Sequence, residues 1–236
     1  MEAARIGGEG PGRGREQPAA GERPALGWKP ADPGPLGLAA FAMTTFVLSM
    51  FNANLVNGKG LPVVLGLALA YGGIVQLLAG LWEFRTGNTF GAVAFCSFGA
   101  FWISFWALNA LYAKDIGGNV GHAVGLYLWA WAIFTAYMTV AALRTSGAVL
   151  LVFVLLTATF VLLAIGASGE HETVTHWGGY VGIATAAAAW YASFAAVVNS
   201  TFGRTVAPVI PLSRGPVADE PLIRETVVRE TVVREP

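Results

Sequence analysis

Charge is what this chain has least of. Between Pro35 and Gly203 only eight acidic or basic residues occur, histidine aside: Lys59, Glu83, Arg85, Lys114, Asp115, Arg144, Glu170 and Glu172. All eight sit at seams between long apolar runs. A charge near a bilayer centre costs about 3 kcal/mol or more, so its exclusion from whole stretches is what a lipid environment selects. Charged residues make up 12% of the chain, against about 25% in soluble domains. The formal net charge is zero, which excludes the basic surface a nucleic-acid binder needs. A single cysteine, Cys96, rules out an intrachain disulfide. It lies in an apolar run, where a small polarizable side chain serves packing. The sequence holds no HExxH, no acid dyad in mid-run, no Cys/His metal spacing and no Walker loop. His171, Glu172 and His176 are too scattered to define a metal site. An enzyme, a bound cofactor, a metal centre and ATP-driven pumping by this chain alone are therefore not expected.

Six apolar runs are present, at about 35–56, 61–83, 89–113, 121–143, 147–167 and 174–202. Each is long enough to cross a bilayer as a helix. The expected fold class is an all-α membrane protein with a six-helix domain over 35–203. Short polar connections make sequential helices antiparallel neighbours, and an even count puts both termini on one side. With the termini cytoplasmic, twelve of the fourteen Lys and Arg residues lie inside and only Lys59 and Lys114 outside. His122, His171 and His176 then face outward. They are ordinary loop residues or sensors of acid near pH 6. Residues 1–34 are rich in Gly and Pro and read as a disordered arm without the apolar stretch of a signal peptide. Residues 204–236 read as a flexible tail ending in a five-residue repeat, Ile223-Arg-Glu-Thr-Val, Val228-Arg-Glu-Thr-Val, Val233-Arg-Glu-Pro. A period of five fits neither helix nor strand.

Candidate polar groups are few. Asp32-Pro33-Gly34-Pro35 opens the first span, where Pro suits a first turn and Asp32 can cap free N–H groups. Such a helix start is either structural only or a carboxylate site at the positive end of the dipole. Gly87-Asn88-Thr89-Phe90-Gly91 makes a similar entry to the third span. Thr44, Thr45, Ser104, Thr157 and Asn199 can each bond a neighbouring backbone carbonyl. Gln76 stands apart, because an amide in lipid must be paired or wet. It either packs in the bundle or faces a watery lumen. Glu83 and Arg85 close the second span, where an ion pair or snorkelling to the interface is expected.

Three stretches resemble the acetate uptake transporter family, also called the succinate–acetate permeases. The first is Asp32-Pro33-Gly34-Pro35-Leu36-Gly37-Leu38, close to an Asn-Pro-x-Pro-Leu-Gly-Leu signature. The second runs from Tyr71-Gly72-Gly73 through Gln76, Gly80, Trp82-Glu83 and Gly87-Asn88-Thr89-Phe90-Gly91 to Phe101-Trp102. The third is Phe202-Gly203-Arg204-Thr205-Val206 with Pro208. The resemblance implies a six-helix protomer with its own pore, assembled as a homohexamer. It implies a constriction formed by Phe41, Phe98 and Leu156, with Gln76, Asn88, Thr89, Thr44 and Asn199 as candidate solute contacts. Phe98 stands where the family commonly has Tyr, Asp32 where the signature has Asn, and Ala196 where some relatives carry Glu.

The function implied is a plasma (inner) membrane permease or channel for acetate and other short monocarboxylates, with succinate in some members. It would be proton-linked or follow the anion gradient, and its partners would be a small carboxylate, lipid and further copies of the chain. Two alternatives stand beside it. One is export of ammonium or another small neutral solute, which a dry lumen also suits. The other is a membrane sensor or scaffold acting through its tails.

Overall fold

The computed structural model describes residues 30–112, 114, 115, 117 and 120–212. Most of the expected arm and of the expected tail, including the five-residue repeat, lies outside the described residues. Six helices are long and apolar enough to cross a membrane: α1 (Gly34–Asn52), α2 (Gly58–Thr86), α3 (Thr89–Tyr112), α4 (Val120–Ala142), α5 (Gly147–Ser168) and α6 (Glu172–Phe202). Among the described residues no strand is formed beyond one isolated bridge.

The ends of these helices follow from local chemistry. Pro35 sits in the first turn of α1, and Asp32 Oδ1 accepts the Gly34 N–H at 2.8 Å. Asn88 caps α3 by accepting the Gly91 N–H at 3.1 Å, and Ser146 caps α5 by accepting the Val149 N–H at 3.3 Å. Gly87 closes α2 and Gly203 closes α6, with φ of 81° and 64°, a left-handed conformation that costs glycine little. α1 stops at Asn52, short of the expected 56, because the chain turns through Asn54 at φ 57°. α2 begins early as a 3₁₀ turn over Gly58–Gly60, since Asn57 accepts the Lys59 N–H.

The helices surround one axis. α1 packs between α2 and α6, α3 lies against α2, α5 against α6, and α4 against α5. The α3–α4 seam is closed by side chains, through Phe98–Phe134, Phe101–Tyr127 and Phe101–Trp131 ring pairs at 5.4, 5.8 and 5.2 Å. In lipid, helices associate by close approach, and small residues set the limit. A Cβ on Gly80 of α2 would stand 2.5 Å from the backbone nitrogen of Cys96 in α3. A Cβ on Gly179 of α6 would collide with the Ala53 backbone after α1. Elsewhere the outer surface is apolar. Leu126, Ile133 and Val140 of α4 are all exposed and recur every seven residues, a ridge suited to hydrocarbon.

α2 and α3 each contain a wider π turn, at Ala70–Val75 and Leu108–Tyr112. In α2 this turn carries Gly72 and Gly73. A side chain on Gly72 would strike Thr44 of α1, and one on Gly73 would strike Ile103 of α3. The bulge therefore lies where α2 closely approaches both neighbours.

Residues 204–212 are not loose. They fold back as a strap beneath the start of α5. Gly147 N–H donates to Ile210 O at 2.7 Å, and Leu212 N–H donates to Thr145 O at 3.0 Å. Asn199 holds the strap from α6, accepting Val206 and Ala207 N–H at 2.6 and 2.9 Å and donating to Ala207 O at 2.8 Å. Tyr191 donates to Pro208 O at 2.7 Å. Replacing Asn199 with alanine removes three of these bonds. The expected result is at least tenfold faster amide exchange at Val206 and Ala207, with the interior of α6 unchanged, read by hydrogen–deuterium exchange.

Candidate permeation pathway

The starts of α1, α3 and α5 and the last turns of α6 meet at one end of the bundle. Ser193 of α6 donates to the carbonyl of Pro35 at 2.7 Å, which ties the first and last helices there. Between these ends lies a cavity of about 250 Å³, lined by Asp32, Pro35, Glu83, Asn88, Ser146 and Val209 among others. The strap thus contributes one wall through Val209. Ala196 also lines this cavity.

Phe41, Phe98 and Leu156 come next along the axis. They are 5%, 3% and 3% exposed, on α1, α3 and α5. The Phe41 and Phe98 rings are 5.8 Å apart. Phe98 is also ringed by Phe134, Phe153 and Phe160 at 5.4, 6.1 and 6.4 Å. The three residues implied by the resemblance therefore converge in one apolar layer. That layer is thicker than three side chains, because aromatic rings of α4 and α5 back it.

Beyond the layer is a small chamber of about 30 Å³, bounded by Phe41 and Leu156 on one side and reaching Asn52 and Leu163 on the other. Asn52, Phe160 and Leu163 also line a neighbouring cavity of about 220 Å³. Asn52 further borders a wide depression of about 630 Å³, where Asn54, Glu170, Glu172, Thr175 and His176 gather. Voids thus lie on both sides of the aromatic layer, which separates the first cavity from the small chamber.

Two buried polar atoms, on residues that line the small chamber, have no hydrogen-bond partner: Thr45 Oγ1 and Trp102 Nε1. Both residues are buried, at 5% and 2% exposure. Sequence reasoning assigned Thr45 to a backbone bond and gave Trp102 no role. The available signal was a tryptophan in mid-span, since a buried indole N–H ordinarily finds an acceptor.

Other candidate contacts are placed differently. Asn88 lines the first cavity, and Thr89 beside it is exposed. Thr44 is fully buried, donates to Ala40 O at 2.9 Å and packs at Gly72. Gln76 is 1% exposed, its Oε1 has no partner, and it lines none of the cavities described above. The Asn199 amide is engaged by the strap. His176 lies in the wide depression at the far end.

Glu83 departs most from expectation. It neither pairs with Arg85 nor reaches for the interface; Arg85 is exposed, whereas Glu83 is 2% exposed. The reason lies in the ends of α1 and α3, which fold over the last turns of α2. Glu83 Oε2 accepts the Thr86 hydroxyl at 3.1 Å, and the Asn88 side chain bonds the same carboxyl.

Chemically, this arrangement offers largely apolar chambers, each with a few polar groups, on either side of a dry layer. A small solute with one charged or polar end fits such a path better than a large or multiply charged one. No cluster of three potential metal ligands occurs among the described residues.

Comparison with known proteins agrees with the resemblance. The ammonia transport outward protein 2 of Saccharomyces cerevisiae is 45% identical over 186 residues, covering 76% of this chain and 66% of that protein. The succinate-acetate/proton symporter SatP of Escherichia coli is 38% identical over 184 residues, covering 77% of this chain and 96% of the symporter. The chain thus spans about two thirds of the yeast relative and nearly all of the bacterial one. The solved structure of a bacterial acetate channel SatP superposes with a TM-score of 0.72 at 38% identity, covering 77% of this chain and 99% of that one. The model of the GPR1/FUN34/yaaH family matches residues 14–214, and the chain belongs to that family.

Proposed function

We propose that this chain is a membrane permease for acetate and related short monocarboxylates, with succinate as a further candidate solute. The observation that carries this reading is the line of cavities through one protomer, pinched at Phe41, Phe98 and Leu156. Unpartnered hydroxyl and indole donors wait just past the pinch, at Thr45 and Trp102. A carboxyl group that has lost water at a dry constriction is served by such donors on the far side. The relatives named for acetate transport support the same solute class. The strap end, which carries Arg85, Arg144 and Arg204, is assigned to the cytoplasm of a plasma (inner) membrane by its positive charge. The protein acts as a homohexamer in which each protomer carries its own path, and it catalyses no covalent chemistry.

The test is uptake of labelled acetate by proteoliposomes holding the pure protein. Uptake several-fold above that of empty vesicles is expected. Uptake equal to the empty-vesicle rate removes the proposal. The yeast relative named for ammonia transport keeps a second reading open, because an apolar layer also passes a neutral amine. Labelled methylammonium in parallel vesicles separates the two readings. Acetate flux should exceed methylammonium flux at least tenfold.

A further inference from the structure

Among the described residues one charged side chain is buried, and it stands in the wall of the first cavity. Glu83 reaches there from the end of α2. Its carboxyl occupies space that two glycines leave free. A Cβ on Gly34, at the start of α1, would lie 3.4 Å from Oε1, and one on Gly91, in the first turn of α3, would lie 2.7 Å from it. Its hydrogen-bond partners, Thr86 and Asn88, are neutral. Among the described residues no cation lines this cavity; Arg144 and Arg204 at the same end are exposed. From the turn before α5 the cavity presents Thr145 and Ser146, and from α6 it presents Ala192 and Ala196. Arg85 on its own helix is exposed. The one other titratable group in the lining is Asp32, itself an acid, whose Oδ1 would lie 3.0 Å from the same Cβ position on Gly34.

The cavity wall on a path for carboxylates therefore carries two carboxyl groups and no base of its own. An ionised Glu83 repels an incoming anion, whereas a protonated one donates a hydrogen bond to it. The apolar layer follows at once, and an anion crosses such a layer far less readily than a neutral acid. We propose that Glu83 is the proton donor of this chain, passing its proton to the solute carboxylate in the first cavity. This inference rests on the permease reading above. In the step, the Glu83 O–H bond breaks and an O–H bond forms on the solute. The solute crosses Phe41, Phe98 and Leu156 as the neutral acid. The Glu83 carboxylate left behind takes a proton from the water at the strap end. One proton thus moves with each monocarboxylate, and no net charge crosses.

The experiment uses the full chain in proteoliposomes, with labelled acetate and empty vesicles as background. For the native protein, a gradient of one pH unit, alkaline on the receiving side, should raise initial uptake about tenfold, the change in proton activity. Voltage-clamped bilayers holding the same protein should pass no acetate current. In Glu83→Gln the stimulation by the gradient should vanish, whereas Glu83→Asp should keep it. Equal stimulation in Glu83→Gln and the native protein overturns the proposal. So does a native acetate current that reverses at the acetate equilibrium potential, and this measurement stands even when Glu83→Gln fails to fold. Absence of any acetate uptake by the native protein overturns the permease reading itself.

Discussion

Phe41→Ala should admit butyrate and larger monocarboxylates at rates at least tenfold above the native protein, relative to acetate. Phe41 closes one side of the layer, and among the described residues its ring meets one other ring, that of Phe98. Removing it leaves Phe98 braced by Phe134, Phe153 and Phe160 while opening the α1 side of the pinch. A hydrophobic constriction excludes water as long as it is narrow, and losing one ring lets water enter with the solute. Acetate uptake should rise too, so the ratio of labelled butyrate to labelled acetate is the informative measure. Large-to-small changes at buried aromatics cost about 3–5 kcal/mol in soluble cores, and a lower thermal midpoint in detergent is expected. Phe46→Ala supplies the comparison. Phe46 sits on the same helix but packs on Trp190 of α6 at 5.1 Å, so it loses packing without touching the layer. Its midpoint should fall while its butyrate-to-acetate ratio stays native. An unchanged ratio in Phe41→Ala removes Phe41 from the gate.

The six helices were legible because lipid acts on composition. A bilayer excludes charge over whole stretches, and that exclusion is written in residue types alone. The same rule misplaced Glu83. Its position at a seam, two residues from Arg85, reads as an interfacial pair. Burial there comes from the ends of α1 and α3 folding across the last turns of α2, a tertiary event that no local pattern carries. The π turns at Ala70–Val75 and Leu108–Tyr112 left no periodic trace either, since one widened turn hardly alters an all-apolar face. Asn199 shows a further limit. An amide near the end of a span suits a solute contact or a backbone clamp equally, and only the fold-back of 204–212 distinguishes them. Phe41, Phe98 and Leu156 were named through resemblance. A span full of Phe and Leu offers many such triplets, and composition alone does not single one out.

The donors beyond the layer give the second large effect, through Trp102→Phe combined with Thr45→Val. Both replacements keep most of the side-chain volume and delete one donor each. In the native chain neither donor has an acceptor within the protein. A buried unpartnered polar group costs about 1–3 kcal/mol, so the double variant should be at least as stable as the native protein, with an equal or higher thermal midpoint. Transport should move the other way. A hydrogen bond to a charged or strongly polar group contributes about 1.5–3 kcal/mol, and losing one such contact at the slowest point slows passage roughly 10-fold or more. Labelled acetate uptake should therefore fall about tenfold or more, while methylammonium flux, which draws nothing from donors, stays level. Packing around Trp102 survives the change, because its contacts with Phe101 and Phe105 at 5.0 and 5.9 Å are ring contacts that phenylalanine can keep. A residue that served only the bundle would lose stability and transport together. A gain in one with a loss in the other marks groups held unpaired for a passing solute, and a fall in both returns Trp102 and Thr45 to packing.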